Sequence, residues 1–152
     1  MEPPGPPPNL LFRTFVLSSL AGRLLTDVAA EAGLRAGELA VQGAINVWGP
    51  LTPTALARIT GLAPTTLSAY IRRMEGRGHV RRAVNPRDGR SYLLELTDEG
   101  LVAVRTFGPG LRRAVEAVDA ALGETRASEA RETFGAVELA LRRVLDEDTA
   151  KR

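Results

Sequence analysis

The fold class predicted for these 152 residues is mainly α with one small β-hairpin (α+β). Three observations carry it. Apolar residues recur at helical spacing toward both ends of the chain, and two short helical segments flank a glycine-containing turn near its middle. Directly after Gly78 the apolar period changes from that of a helix to that of a strand.

Taken in order, residues 1–9 are rich in proline and lack any periodic pattern, which suits an extended arm. From Leu10 to about Ala32, Leu17, Leu20, Leu24 and Val28 mark an amphipathic helix that Gly33 can stop. A second helix is expected from about Ala36 to Val47, ending near Trp48-Gly49-Pro50. Thr52-Pro53 supplies a capping hydroxyl and a proline for the first helical position, so a short helix should follow and stop near Thr60-Gly61. Pro64 opens the next, which runs to Gly76 or Gly78. Two short helices joined by a turn at Gly61 make a helix-turn-helix.

Residues 80–84 and 91–96 then read as strands, and Asn85-Pro86-Arg87-Asp88-Gly89-Arg90 between them suits a turn. A hairpin in that position is a wing. Thr97 can cap a further helix, with Gly100 where a capping box would place glutamate. Leu101, Val104, Leu111, Val115, Val118 and Leu122 form one stripe, and Gly108-Pro109-Gly110 is expected to kink or break it. Phe134, Val137, Leu141 and Val144 mark a last helix from about Ser128 to Asp146. Residues 10–152 are thus one domain, with a winged lobe at about 50–100.

Composition excludes several classes. There is no cysteine, which removes disulfides, thiolate metal sites and thiol sensing. His79 is the only histidine and has no partner cluster, so neither a metal site nor a catalytic triad is expected; it is read as packing at the strand entry. No nucleophile–base pair or phosphate loop is present, and the chain is read as neither an enzyme nor a cofactor protein. No apolar run has the ~18 residues of a membrane span and the first residues do not resemble a signal peptide, so a cytoplasmic location is expected. Trp48 is assigned to plain core, the other reading being a ligand pocket.

The charge has a place. Between Arg72 and Arg90 lie seven arginines and two acids, a net +5, which leaves −3 elsewhere out of a total of +2. Such a focus suits phosphate binding. A recognition helix enters the major groove with its N-terminal residues at base edges. Here that end carries Thr65, Thr66 and Ser68, and Arg72, Arg73 and Arg77 follow within reach of the backbone. Leu67, Ile71 and Met74 should pack on the preceding helix through Leu56 and Ile59. Tyr70, at the edge of that face, can pack or donate a hydrogen bond to phosphate. At the wing tip, Arg87 and Arg90 can meet DNA, Arg90 in a minor groove, with Asp88 orienting it by a charge-assisted hydrogen bond. Arg81 and Arg82 point to opposite faces of a strand, so at most one should meet DNA.

The run Asn85-Pro86-Arg87-Asp88-Gly89-Arg90-Ser91, followed by Leu96-Thr97-Asp98-Glu99-Gly100, resembles the wing signature of the MarR family of transcriptional regulators. The order of elements from about Leu10 to Leu145 is similar as well. The resemblance implies a winged helix-turn-helix with dimerisation helices at about 10–32 and 111–146. It further implies a homodimer on a double-stranded DNA operator, a repressor role, and a small phenolic or lipophilic effector. Ala69 and His79 depart from the family's usual residues. The competing reading is a winged-helix module that binds another protein.

Overall fold

The computed structural model describes residue 5 and residues 9–150. The expected arm of residues 1–9 therefore lies outside the described residues, apart from Gly5 and Asn9. Six helices and one two-stranded antiparallel sheet follow in the order α1 (Leu10–Ala30), α2 (Ala36–Trp48), α3 (Pro53–Thr60), α4 (Pro64–Gly76), β1 (Val80–Val84), β2 (Tyr92–Leu96), α5 (Asp98–Leu122) and α6 (Glu124–Ala150). The chain divides into two compact units at Arg112, the first holding everything up to the early turns of α5.

In the first unit, the capping chemistry accounts for the boundaries. Asn9 accepts the Phe12 N–H at 2.9 Å and starts α1. Thr52 Oγ1 accepts the Ala55 N–H at 3.1 Å, and Pro53 occupies the first turn of α3, where a missing N–H costs nothing. Gly61 ends α3 in the left-handed region at φ 69°, with its N–H on the Ala57 carbonyl. Val80 pairs with Leu96 and Val84 with Tyr92 across the hairpin. Leu51 adds an isolated third rung on Leu94, the two residues exchanging both backbone hydrogen bonds, at 3.1 and 2.8 Å. The strand-like Leu51 was not foreseen, because a single rung leaves no alternation to detect.

One hydrophobic cluster binds these elements: Val41, Ala44 and Ile45 of α2, Leu56 of α3, Leu67, Ile71 and Met74 of α4, Val80, and Leu94. Burying a side chain of this size stabilises by about 1.5–3 kcal/mol relative to exposure. Leu67, Ile71 and Met74 pack as expected, and Leu56 meets them. Ile59 does not; it is 38% exposed, since the eight residues of α3 bury only the Leu56 position. Trp48 is likewise 61% exposed and not core, one turn past Ile45 and beyond the last buried residue of α2.

Of the kink or break expected at Gly108-Pro109-Gly110, the break does not occur: α5 is helical from Asp98 to Leu122 with Pro109 inside it. The helix continues through the proline although Gly108 and Gly110 flank it and one backbone hydrogen bond is lost. Gly110 has another use. It is buried, and a Cβ there would come within 2.7 Å of Glu31 Oε2, so the glycine allows a close approach.

In the second unit, the last turns of α5 end at Gly123, at φ 80°, and α6 begins at Glu124, earlier than the expected Ser128. Arg131 donates to Asp119 at 2.6 Å and Arg142 to Glu138 at 2.6 Å. Phe134, Leu139, Val144 and Leu145 of α6 are each more than half exposed.

Candidate nucleic-acid interface

Helix α4 buries Leu67, Ile71 and Met74, which leaves Thr65, Ala69, Arg72 and Gly76 along the opposite side at i, i+4, i+7 and i+11. Thr66 and Ser68 flank this row. Ala63, with no side-chain acceptor, is the N-cap, and Pro64 follows it. The hydroxyls of Thr65, Thr66 and Ser68 are exposed and make no hydrogen bond among the described residues, so none of them is spent on capping. The first backbone N–H groups of α4 give this end partial positive charge.

The arginines divide into two sets. Arg72, Arg87 and Arg90 are exposed and make no ion pair among the described residues. The other four in the basic segment are engaged. Arg81 Nε lies 2.6 Å from Glu95, and Arg82 Nε 2.6 Å from Glu75, with the Arg82 guanidinium 4.3 Å from the Tyr92 ring centroid. The hydrogen bond to Glu75 is the main cause holding the Arg82 pKa above its ordinary value. Arg73 and Arg77, expected to clamp DNA, turn instead toward α2. Arg73 Nε donates to Glu38 Oε1 at 2.7 Å, while Arg77 donates to the Gly33 carbonyl at 2.5 Å and stands 3.6 Å from Glu38 Oε2. Glu38 is fully buried, and its Oε2 also accepts the Arg35 N–H at 3.0 Å.

Tyr70 is half-buried and packs against the core beside Gly37, where a Cβ would lie 2.8 Å from Tyr70 Cζ. That is the packing alternative of the two open for it. At the wing tip, Asp88 Oδ1 accepts the backbone N–H of Arg90 at 3.0 Å and Asn85 Oδ1 that of Arg87 at 3.0 Å. Asp88 therefore shapes the turn through the backbone and does not grip the guanidinium as expected. Asn85 is buried, donates to Ser91 Oγ at 2.7 Å, and is the wing's internal brace.

His79 sits at the strand entry as expected. Gln42 Nε2 lies 3.0 Å from its Nδ1, and its carbonyl accepts the Thr97 N–H at 3.1 Å. Burial first, and then the charge of Arg77, lower its pKa below 6.5; Glu38 and Glu99 oppose them. The ring lines an open cleft of about 450 Å³ with Arg77, Glu99, Val102 and Thr106. Glu38 and Gln42 escaped the sequence reading: a charged and an amide residue on an otherwise apolar helix face, four apart, were its only trace.

Comparison with known proteins shows what the winged segment resembles. The sequence profile described as MarR family matches residues 33–91, from the end of α1 to the wing. Over that segment the chain is similar to the MarR family. YwaE of Bacillus subtilis (strain 168), an uncharacterized HTH-type transcriptional regulator, is 30% identical over 63 residues, a match that spans 41% of this chain and 37% of YwaE. The structure of the PcaV transcriptional regulator from Streptomyces coelicolor, solved in complex with its natural ligand, is 26% identical. It covers 96% of this chain and 98% of PcaV at a TM-score of 0.72. The M. tuberculosis regulator MosR, solved in complex with DNA, shares the fold at 22% identity and a TM-score of 0.77, over 89% of this chain and 97% of its own. Six helices and a two-stranded wing are the MarR winged-helix architecture. No helix among the described residues is long and apolar enough to cross a membrane.

Proposed function

We propose that this chain is a homodimeric, sequence-specific MarR-family regulator of transcription that binds double-stranded DNA and is released by a small phenolic or lipophilic effector. In this reading it represses. One observation carries it: a single lobe presents unengaged Thr65, Thr66 and Ser68 hydroxyls with unpaired Arg72, beside a wing that presents unpaired Arg87 and Arg90. Hydroxyls at a helix start suit the major groove, and a wing-tip arginine suits a narrow minor groove. The complex of MosR with DNA and that of PcaV with its ligand support the partner classes. The dimer rests on α1, where Leu11, Phe15 and Leu20 are all more than half exposed in the single chain.

The test is binding to a duplex covering the upstream region of its own gene, measured for wild type and Arg90→Ala across salt. Neutralising Z phosphates gives a slope of log K on log salt of about −0.9Z. Three unpaired arginines predict a slope magnitude of about 3 per protomer by that rule. If all seven arginines touched phosphate, it would be about 6. Arg90→Ala should cost about 1–3 kcal/mol, roughly 5- to 150-fold. Tight binding indifferent to Arg90 would overturn the wing's role. No binding to any duplex, with assembly on a protein partner instead, would favour the interaction module.

A further inference from the structure

We propose that Glu38 is a positioning residue that withholds Arg73 and Arg77 from nucleic acid, so that base-reading contacts rather than bulk charge set which duplex is bound. This rests on the DNA-binding reading above and adds to it a determinant of specificity. Glu38 lies on α2, behind the recognition helix, and is fully buried. A buried carboxylate needs partners, and this one has two donors, Arg73 Nε at 2.7 Å and the Arg35 N–H at 3.0 Å, with the Arg77 charge 3.6 Å away. Both arginines come from α4 or its C-cap, and Gly37 admits the Tyr70 ring one residue earlier on α2. Recognition-helix side chains are thus seated on the first turn of α2 by an ion pair and a close ring contact.

The side chains of Arg73 and Arg77 are nonetheless 37% and 38% exposed. They are on the shoulder of α4 that leads from the core to the row of Thr65, Ala69 and Arg72. Freed of Glu38, the flexible Arg73 guanidinium would reach a phosphate backbone lying along that row, and Arg77 would follow once it also leaves the Gly33 carbonyl. Phosphate contacts add affinity for every sequence alike and carry no base information. A carboxylate that engages both arginines therefore lowers non-specific affinity and leaves the specific term intact.

Glu38→Gln keeps the shape and removes the charge. Against a random-sequence duplex, it should bind more tightly than wild type, with a salt slope steeper by about 0.9 per protomer from the phosphate contact of Arg73, the Gly33 carbonyl still holding Arg77. The ratio of operator to random-duplex affinity should fall. Arg73→Gln in the wild-type background should leave the slope unchanged, and in the Glu38→Gln background it should take back about 0.9. A merely structural role for Glu38 would weaken both duplexes together without steepening either slope. That outcome overturns the proposal, as does a shallower slope for Arg73→Gln alone, which remains readable even if Glu38→Gln fails to fold. Wild type that binds no duplex sinks the DNA-binding reading and this inference together, whereas wild type that binds while the slopes stay equal sinks this inference alone.

Discussion

His79 is the residue on which sequence and surroundings diverge most. Its sequence context offers no partners, yet in the fold it meets Gln42, Arg77 and Glu99 around one cleft, and its pKa is lowered. A lowered value means that the unfolded chain takes up the proton first as pH falls. Stability from the neutral ring is therefore complete above pH 6.5 and is lost as pH drops through the ordinary value toward the folded one. Wild type should lose thermal stability between about pH 7 and 5 more steeply than His79→Gln, measured as the difference in Tm across that range. Equal slopes would assign the acid sensitivity to the carboxylates. At this scale, the candidate site was only partly legible in the sequence. Thr65, Thr66, Ser68, Arg72, Arg87 and Arg90 could be proposed from position along one helix and one turn. That Arg73 and Arg77 face Glu38, 35 or more residues away in sequence, depends on how α2 docks on α4, and no local spacing encodes it.

Among the elements, α5 has the most counterintuitive first turn. Thr97 Oγ1 accepts the Gly100 N–H at 3.1 Å and donates to the Gly78 carbonyl, so one hydroxyl both caps the helix and ties it to the end of α4. Gly100 lies so near the His79 carbonyl that a Cβ would overlap the oxygen. Helix propensity alone favours Gly100→Ala by about 1 kcal/mol. The expected result is the opposite sign, a destabilisation of about 1–3 kcal/mol read from urea unfolding, because backbone and not a flexible side chain blocks the space. The elements themselves were largely legible: the Thr52-Pro53 and Pro64 starts, the Gly61 stop and the change of period after Gly78 all carry local backbone chemistry. Gly108-Pro109-Gly110 does not break the helix, and the nearest neighbour of Gly110 is the carboxylate of Glu31, which lies 79 residues earlier.

For the molecule as a whole, the apolar ends of the chain are the outstanding debt. Phe15 is 68% exposed and Leu11 65%, one turn apart on the same face of α1, an apolar patch that suits a partner surface. Under the homodimer reading, Phe15→Glu should shift the sedimenting species from dimer to monomer at micromolar concentration, and weaken operator binding through loss of the second half-site rather than of the helix or wing. A species already monomeric as wild type would remove the dimer. The mutual hydrogen bonds of Leu51 and Leu94 have a bearing on what happens to the duplex. They sew the base of the wing to the loop that enters the helix pair, and buried Asn85 stiffens its far end. Under the DNA-binding reading, these ties favour a fixed span from the start of α4 to the tip arginines over a hinged one. A duplex whose grooves are spaced differently must itself bend or narrow to fit. Operators would on this account be ranked by the elastic compliance of base steps that no side chain touches, as well as by those that are read directly.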